Sequence, residues 1–138
     1  DMDQMFYAER MPPVFDEALA DTEAALRLWK KEADAMGIPL VILATHSVEY
    51  SAPRSNSSAS LRRGISPDRQ LRRLEAIADK LGLPVINQAA YIRSDGGELK
   101  QASFPHDGHW NAYGHMTAAG AIKQYLLAHP KICGGSRP

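Results

Sequence analysis

Ile38-Pro39-Leu40-Val41-Ile42-Leu43-Ala44 is an unbroken β-branched and aliphatic run. It lacks the alternation of a half-exposed strand, so it reads as a strand covered on both faces, as in a parallel sheet. Leu83-Pro84-Val85-Ile86-Asn87 has the same character and gives a second short strand. Between them, Ser66-Pro67-Asp68 supplies a hydroxyl cap and a proline in the first turn of a helix. Leu71, Leu74, Ile77, Ala78 and Leu81 form its buried stripe, and Gly82 ends it. Strand, helix, strand implies a right-handed parallel crossover, and the fold class is α/β.

Upstream, Pro12-Pro13 suits the first turn of a helix. From Val14 to Met36, Phe15, Ala18, Leu19, Thr22, Leu26, Trp29, Ala33 and Met36 recur at steps of three and four. That spacing marks one buried face, with Trp29 in the core, and Gly37 is the stop. Ser51 to Gly64 is rich in serine and arginine and reads as a surface loop or lid. Residues 88 to 110 read mostly as loop, with a turn at Asp95-Gly96-Gly97. The last helix starts near Asn111, buries Met116, Ala119, Ile122 and Leu126, and ends before Pro130. Residues 1–138 thus form a single α/β unit with only two strands, whose sheet edges need another segment or a second chain.

The chain's 138 residues are 44% hydrophobic and 23% charged, with a formal net charge of zero. Nothing at whole-chain level marks a nucleic-acid partner, and no apolar run approaches the roughly 20 residues of a membrane span. The single cysteine, Cys133, excludes an internal disulfide and says nothing about compartment.

The chemistry concentrates in Phe104-Pro105-His106-Asp107-Gly108-His109-Trp110-Asn111-Ala112-Tyr113-Gly114-His115. Asp107 and His109 stand two residues apart in a glycine-containing loop before a helix. A carboxylate there can hold one imidazole nitrogen and leave the other to deprotonate a nucleophile. An imidazole, with a reference pKa of about 6.5, accepts a proton at neutral pH.

Asp-x-His followed by Trp-Asn-x-x-Gly-His, leading into a C-terminal helix, resembles the SGNH (GDSL-type) hydrolase superfamily. The Asp-x-His-Trp form is closest to a branch that includes bacterial polysaccharide O-acetyltransferases. Residues 104 to 120 carry the specific match, and a weaker one in element order extends over about residues 20 to 128. The resemblance implies a three-layer α/β/α sandwich (flavodoxin-like) around a parallel sheet. It also implies serine chemistry on small-molecule or carbohydrate esters, by hydrolysis or acyl transfer, without cofactor or metal. His109 then resembles the general base and Asp107 the residue that orients it. The family's Gly-Asp-Ser nucleophile block and its oxyanion glycine and asparagine have no counterpart here. Of the serines, Ser47 to Ser60 lie in the loop, and only Ser136 follows Asp-x-His. The expectation is the C-terminal portion of a longer hydrolase, its N-terminal strands and serine supplied from elsewhere.

Blander readings stand beside this one. Asp107 and His109 can serve only to satisfy a loop backbone before a helix, in a non-catalytic module that acts by binding or assembly. His106, Asp107, His109 and His115 make a candidate metal cluster, without a second patch of known ligand spacing. Trp110 is core or substrate wall, and Asn111 is the helix N-cap. Gly114 permits close packing of the last helix on the sheet. His46 follows the first strand, at the carboxyl end where open α/β sheets place ligands. Arg54, Arg62 and Arg63 suit an anionic ligand or a solvated loop.

Overall fold

The computed structural model describes Ala8, residues 10–45, 68–105 and 107–132, and of Asp107 the backbone alone. The elements in order are helix α1 (Pro13–Ala35), strand β1 (Ile42–Ala44), helix α2 (Asp68–Leu81), strand β2 (Val85–Asn87) and helix α3 (Gln88–Ser94). A 3-10 turn (Leu99–Ala102), strands β3 (Ser103–Phe104) and β4 (Asp107–Trp110), helix α4 (Ala112–Ala128) and a 3-10 turn (Pro130–Ile132) follow. The chain is therefore mixed α/β, mostly helical, with a small parallel sheet. These elements divide into two compact units.

The first unit comprises the described residues up to Leu40 and from Asp68 to Pro84. Pro12 precedes α1 and Pro13 opens it, where a missing N–H costs nothing. Phe15, Leu26 and Ala33 of α1 and Ile77, Ala78 and Leu81 of α2 are buried, with Leu71 and Leu74 half-buried. Both helices end in the double bond of a left-handed glycine cap. Gly37 (φ 65°) donates to Asp34 O and Ile38 to Ala33 O; Gly82 (φ 64°) donates to Asp79 O and Leu83 to Ala78 O. Glu23 links the helices, accepting from Arg27 at 2.8 Å and from Lys80 at 3.3 Å.

The stripe expected on α1 is narrower than its apolar spacing suggests. Trp29 is 62% exposed and Met36 65%, and Ala18 and Thr22 are exposed as well. The covered face instead runs through Phe15, Leu19, Glu23, Leu26, Lys30 and Ala33. It is rotated toward the charged residues, whose aliphatic stems serve as cover. Trp29 is not a core residue.

The second unit comprises the described residues from Val41 to Thr45 and from Val85 on. Within it β1 and β2 pair in parallel, Ile42 opposite Val85, Leu43 opposite Ile86 and Ala44 opposite Asn87. Each strand is three residues long, shorter than the aliphatic run that predicts it. Residues 88 to 110 are not loop. Asn87, the last residue of β2, also caps α3, its side-chain oxygen accepting from the Ala90 N–H at 2.9 Å. The expected turn follows, with Gly96 at φ 76° and Gly97 donating to Ile92 O. Glu98 and Gln101 then form a capping box over the 3-10 turn. β3 and β4 make an antiparallel hairpin.

α4 begins where expected but buries the opposite face. Gly114, Thr117, Ala118 and Ala121 are covered, whereas Met116 is 62% exposed and Ile122 37%. Ala119 is exposed too, and Leu126 is only half-buried. The covered face is the one with small side chains, because α4 lies very close to its neighbours. A Cβ on Gly114 would run into the Ala102 carbonyl oxygen, and one on Gly120 into the Tyr91 hydroxyl.

Two outcomes follow for stability. Gly114→Ala meets backbone that cannot swing aside and should cost about 1–3 kcal/mol or more in denaturant unfolding. Gly120→Ala meets the end of a side chain and should stay within about 1 kcal/mol, helped by better helix propensity. Separately, the Arg27 hydrogen bond, reinforced by Lys80, lowers the Glu23 carboxyl below its ordinary value of 4.5. Its contribution is present above that range and lost as pH falls through the lowered value. The stability gap between the parent chain and Glu23→Gln should therefore shrink on acidification, and in high salt.

Candidate functional site

The site is built on the 3-10 turn, the β3–β4 hairpin and the start of α4. Ser103 pairs with Trp110 and Phe104 with Asp107, so the ladder shifts between them. Regular pairing would oppose Phe104 with His109; instead Gly108 and His109 are interpolated between the paired positions. Irregularities of this kind re-aim side chains and recur beside active sites. His109 is exposed in this stretch and Trp110 is half-buried. Both candidate residues therefore stand on an irregular strand, Asp107 at its first position, rather than on the expected loop.

Asn111 ends the hairpin and caps α4. Its side-chain oxygen accepts from the Gly114 N–H at 3.0 Å. Its amide nitrogen donates to Gln101 O at 2.8 Å and to Ser103 O at 3.0 Å. Its main-chain N–H donates to Ala102 O, and its main-chain carbonyl accepts from His115 N–H. The capping role was legible in the sequence; the double donation to the hairpin was not.

Gly114 is held from its other side by Gln88, which is fully buried at the first position of α3, beyond the carboxyl end of β2. The Gln88 Nε2 donates to Gly114 O at 2.9 Å and to Thr117 Oγ1 at 3.1 Å. The Thr117 hydroxyl donates to the same Gly114 carbonyl at 3.0 Å. A carbonyl accepts only, so the amide nitrogen must face Gly114, leaving Gln88 Oε1 buried without a partner. Sequence reading passed over Gln88, because a glutamine after a strand carries no periodic signal.

Trp110 is intermediate between core and surface. Its ring meets the exposed His115 ring edge-on, with centroids 5.4 Å apart and planes at 82°. The described serines are Ser94, whose hydroxyl donates to Tyr91 O, and Ser103, 4% exposed, whose Oγ has no hydrogen-bond partner. Neither is bonded to His109. His46, Arg54, Arg62, Arg63, His106, Cys133, Ser136 and the loop Ser51–Gly64 lie outside the described residues. Among the described residues no group of three or more His, Cys, Asp or Glu is placed to hold a metal ion. None of the described helices is long and apolar enough to cross a membrane. Away from the hairpin, α3 and α4 frame an open groove of about 410 Å³ beside Tyr91, Lys123 and Leu127, which holds none of the candidate residues.

Comparison with protein-family models, with curated proteins and with solved structures finds no match to this chain.

The Gln88 clamp has a pH-dependent test. In Gln88→Glu a buried carboxyl faces the Gly114 carbonyl, where only its protonated form can donate. Its folded pKa should rise above the unfolded value of about 4.3. Stability relative to the parent should fall as pH rises from about 4 to 7, because the folded state then holds the extra proton. Urea midpoints across that range would measure it.

Proposed function

We propose that this chain supplies the acid–histidine half of an SGNH-type serine ester hydrolase or O-acyltransferase. In this reading the two units are part of a three-layer α/β/α sandwich. A serine outside residues 1–138 attacks the ester carbonyl, and His109 takes its proton as the bond to carbon forms. His109 then returns that proton to the departing alcohol, leaving an acyl-serine. Water, or the hydroxyl of an acceptor such as a sugar, repeats the sequence in reverse and frees the acyl group. Asp107 orients the imidazole and stabilises its cationic form. The substrate class is a small-molecule or carbohydrate ester.

One observation carries the reading: Asp107 and His109 flank a register shift in a hairpin that is tied to the first turn of the last helix. A general base needs a fixed backbone so that its nitrogen meets the nucleophile within hydrogen-bond reach. The two-stranded sheet is a second support. Among the described residues only β1 and β2 form it, and further strands from another segment or chain would complete it.

A second reading, a non-catalytic assembly module, is favoured by the uncovered apolar side chains. Val14, Leu28, Trp29 and Met36 on α1, and Met116, Ile122 and Leu127 on α4, are all exposed. Surfaces of this kind mark association when they are contiguous.

A serine-directed fluorophosphonate separates the two. The isolated chain should remain unlabelled, and the complete hydrolase carrying a Gly-Asp-Ser segment should label. In that complete protein His109→Ala should lower ester turnover by about 10⁴-fold or more, with an unchanged unfolding midpoint. Near-normal turnover in the variant would sink the hydrolase reading and leave the assembly module. Labelling within residues 1–138 would instead place the nucleophile in this chain.

A further inference from the structure

We infer that Asn111 is the positioning residue for His109, acting through the two N–H donors of its carboxamide rather than through its cap. The inference rests on the proposed role of His109, and its geometry is independent of that role.

Three consecutive carbonyls, those of Gln101, Ala102 and Ser103, all point to this one residue. The first and third accept from the side-chain nitrogen, the second from the main-chain N–H. They close the end of a 3-10 turn, where carbonyls lose their helical partners. Serine, threonine and aspartate cap helices about as well as asparagine. None of them brings N–H donors to this position. Capping alone therefore does not account for the residue.

The consequence reaches His109 directly. Between the paired positions Phe104–Asp107 and Ser103–Trp110, Gly108 and His109 have no ladder partner of their own. What sets their path is where β4 is held at each end. At the far end that hold is Trp110 opposite Ser103, immediately followed by the Asn111 bonds to residues 101, 102 and 103. The Gly114 clamp fixes Asn111 in turn, since Gln88 and Thr117 seize the carbonyl of the same residue whose N–H meets Asn111 Oδ1. His109 is thus aimed by bonds that begin at the carboxyl end of β2 and end in the asparagine side chain.

Asn111→Ser and Asn111→Asp both keep an oxygen for the Gly114 N–H and remove both donors. The carboxylate of Asn111→Asp also faces the Gln101 and Ser103 carbonyls. The test follows two signals by NMR in the full chain at one fixed pH. Exchange of the Gly114 amide reads the cap and should change by less than about fivefold, because these caps are near-equivalent. The His109 ring Cε1–Hε1 resonance reads the aim, and should shift or broaden in both variants. His129, whose Nδ1 lies 2.8 Å from Tyr125 O and whose ring stacks on Tyr125 at the other end of α4, is the control and should not move.

An unchanged His109 resonance with the cap retained overturns the inference. So does a change that His129 shares. If Asn111→Ser does not fold, the near-isosteric Asn111→Asp decides. If neither folds, Asn111 holds the whole unit rather than the histidine, and the inference fails. None of these outcomes depends on an ester or a serine, so the hydrolase reading stands or falls separately.

Discussion

Three successive main-chain carbonyls converging on Asn111 set the form of the second unit. The end of a 3-10 turn leaves carbonyls without partners, and the start of α4 leaves N–H groups without partners. One side chain answers both, with its oxygen toward the helix and its nitrogen toward the turn. Each such bond contributes only about 1 kcal/mol net, but leaving the same groups covered and unpaired costs about 1–3 kcal/mol apiece. The asymmetry explains why so much of the local architecture is arranged around a single carboxamide. Gln88 repeats the device from the sheet side, and between them every polar atom of the Gly114 peptide is engaged.

Such bonds demand close approach, and close approach selects small side chains. Gly114, Thr117, Ala118 and Ala121 line the covered face of α4, and the buried residues around them include Ala44, Ala89 and Ala102. A core of alanines brings little apolar area per residue, so hydrogen bonding contributes more to its specificity than hydrophobic volume does. The large apolar side chains are displaced outward as a direct result. Met116 and Leu127, 72% exposed in the latter case, occupy the side of α4 away from Gly114. The same inversion appears on α1, where the covered face includes Glu23 and Lys30 while Trp29 lies open.

That inversion explains what could and could not be read from the sequence. The two long helices, their proline and glycine boundaries and the parallel pairing of two aliphatic runs were legible, because each leaves a periodic or conformational signal. The buried face of α4 was not. Its apolar residues occur on every side, so a rule that buries the largest ones selects Met116 and Ile122 over Gly114 and Thr117. α3 escaped because its cap is the final residue of a strand and its seven residues are too few to show a period. The hairpin escaped for a related reason: strands of two and four residues show no alternation. Asp107 and His109 were identified as a pair, but the irregular strand that carries them was taken for loop.

The difference between loop and strand matters for the proposed chemistry. A base on a loop must be ordered when substrate arrives, and that ordering subtracts from the rate that proximity would otherwise give. A base between two fixed strand positions, followed at once by a capped helix, has its backbone ordered already. Scaffolds position reacting groups best from rigid elements whose own bonds are satisfied. The clamp from Gln88 through Gly114 to Asn111 has that character, and it consists entirely of residues other than the proposed pair. A segment or chain that brings the serine would then need to dock against a histidine already held by β4, and only its own nucleophile would remain to be oriented.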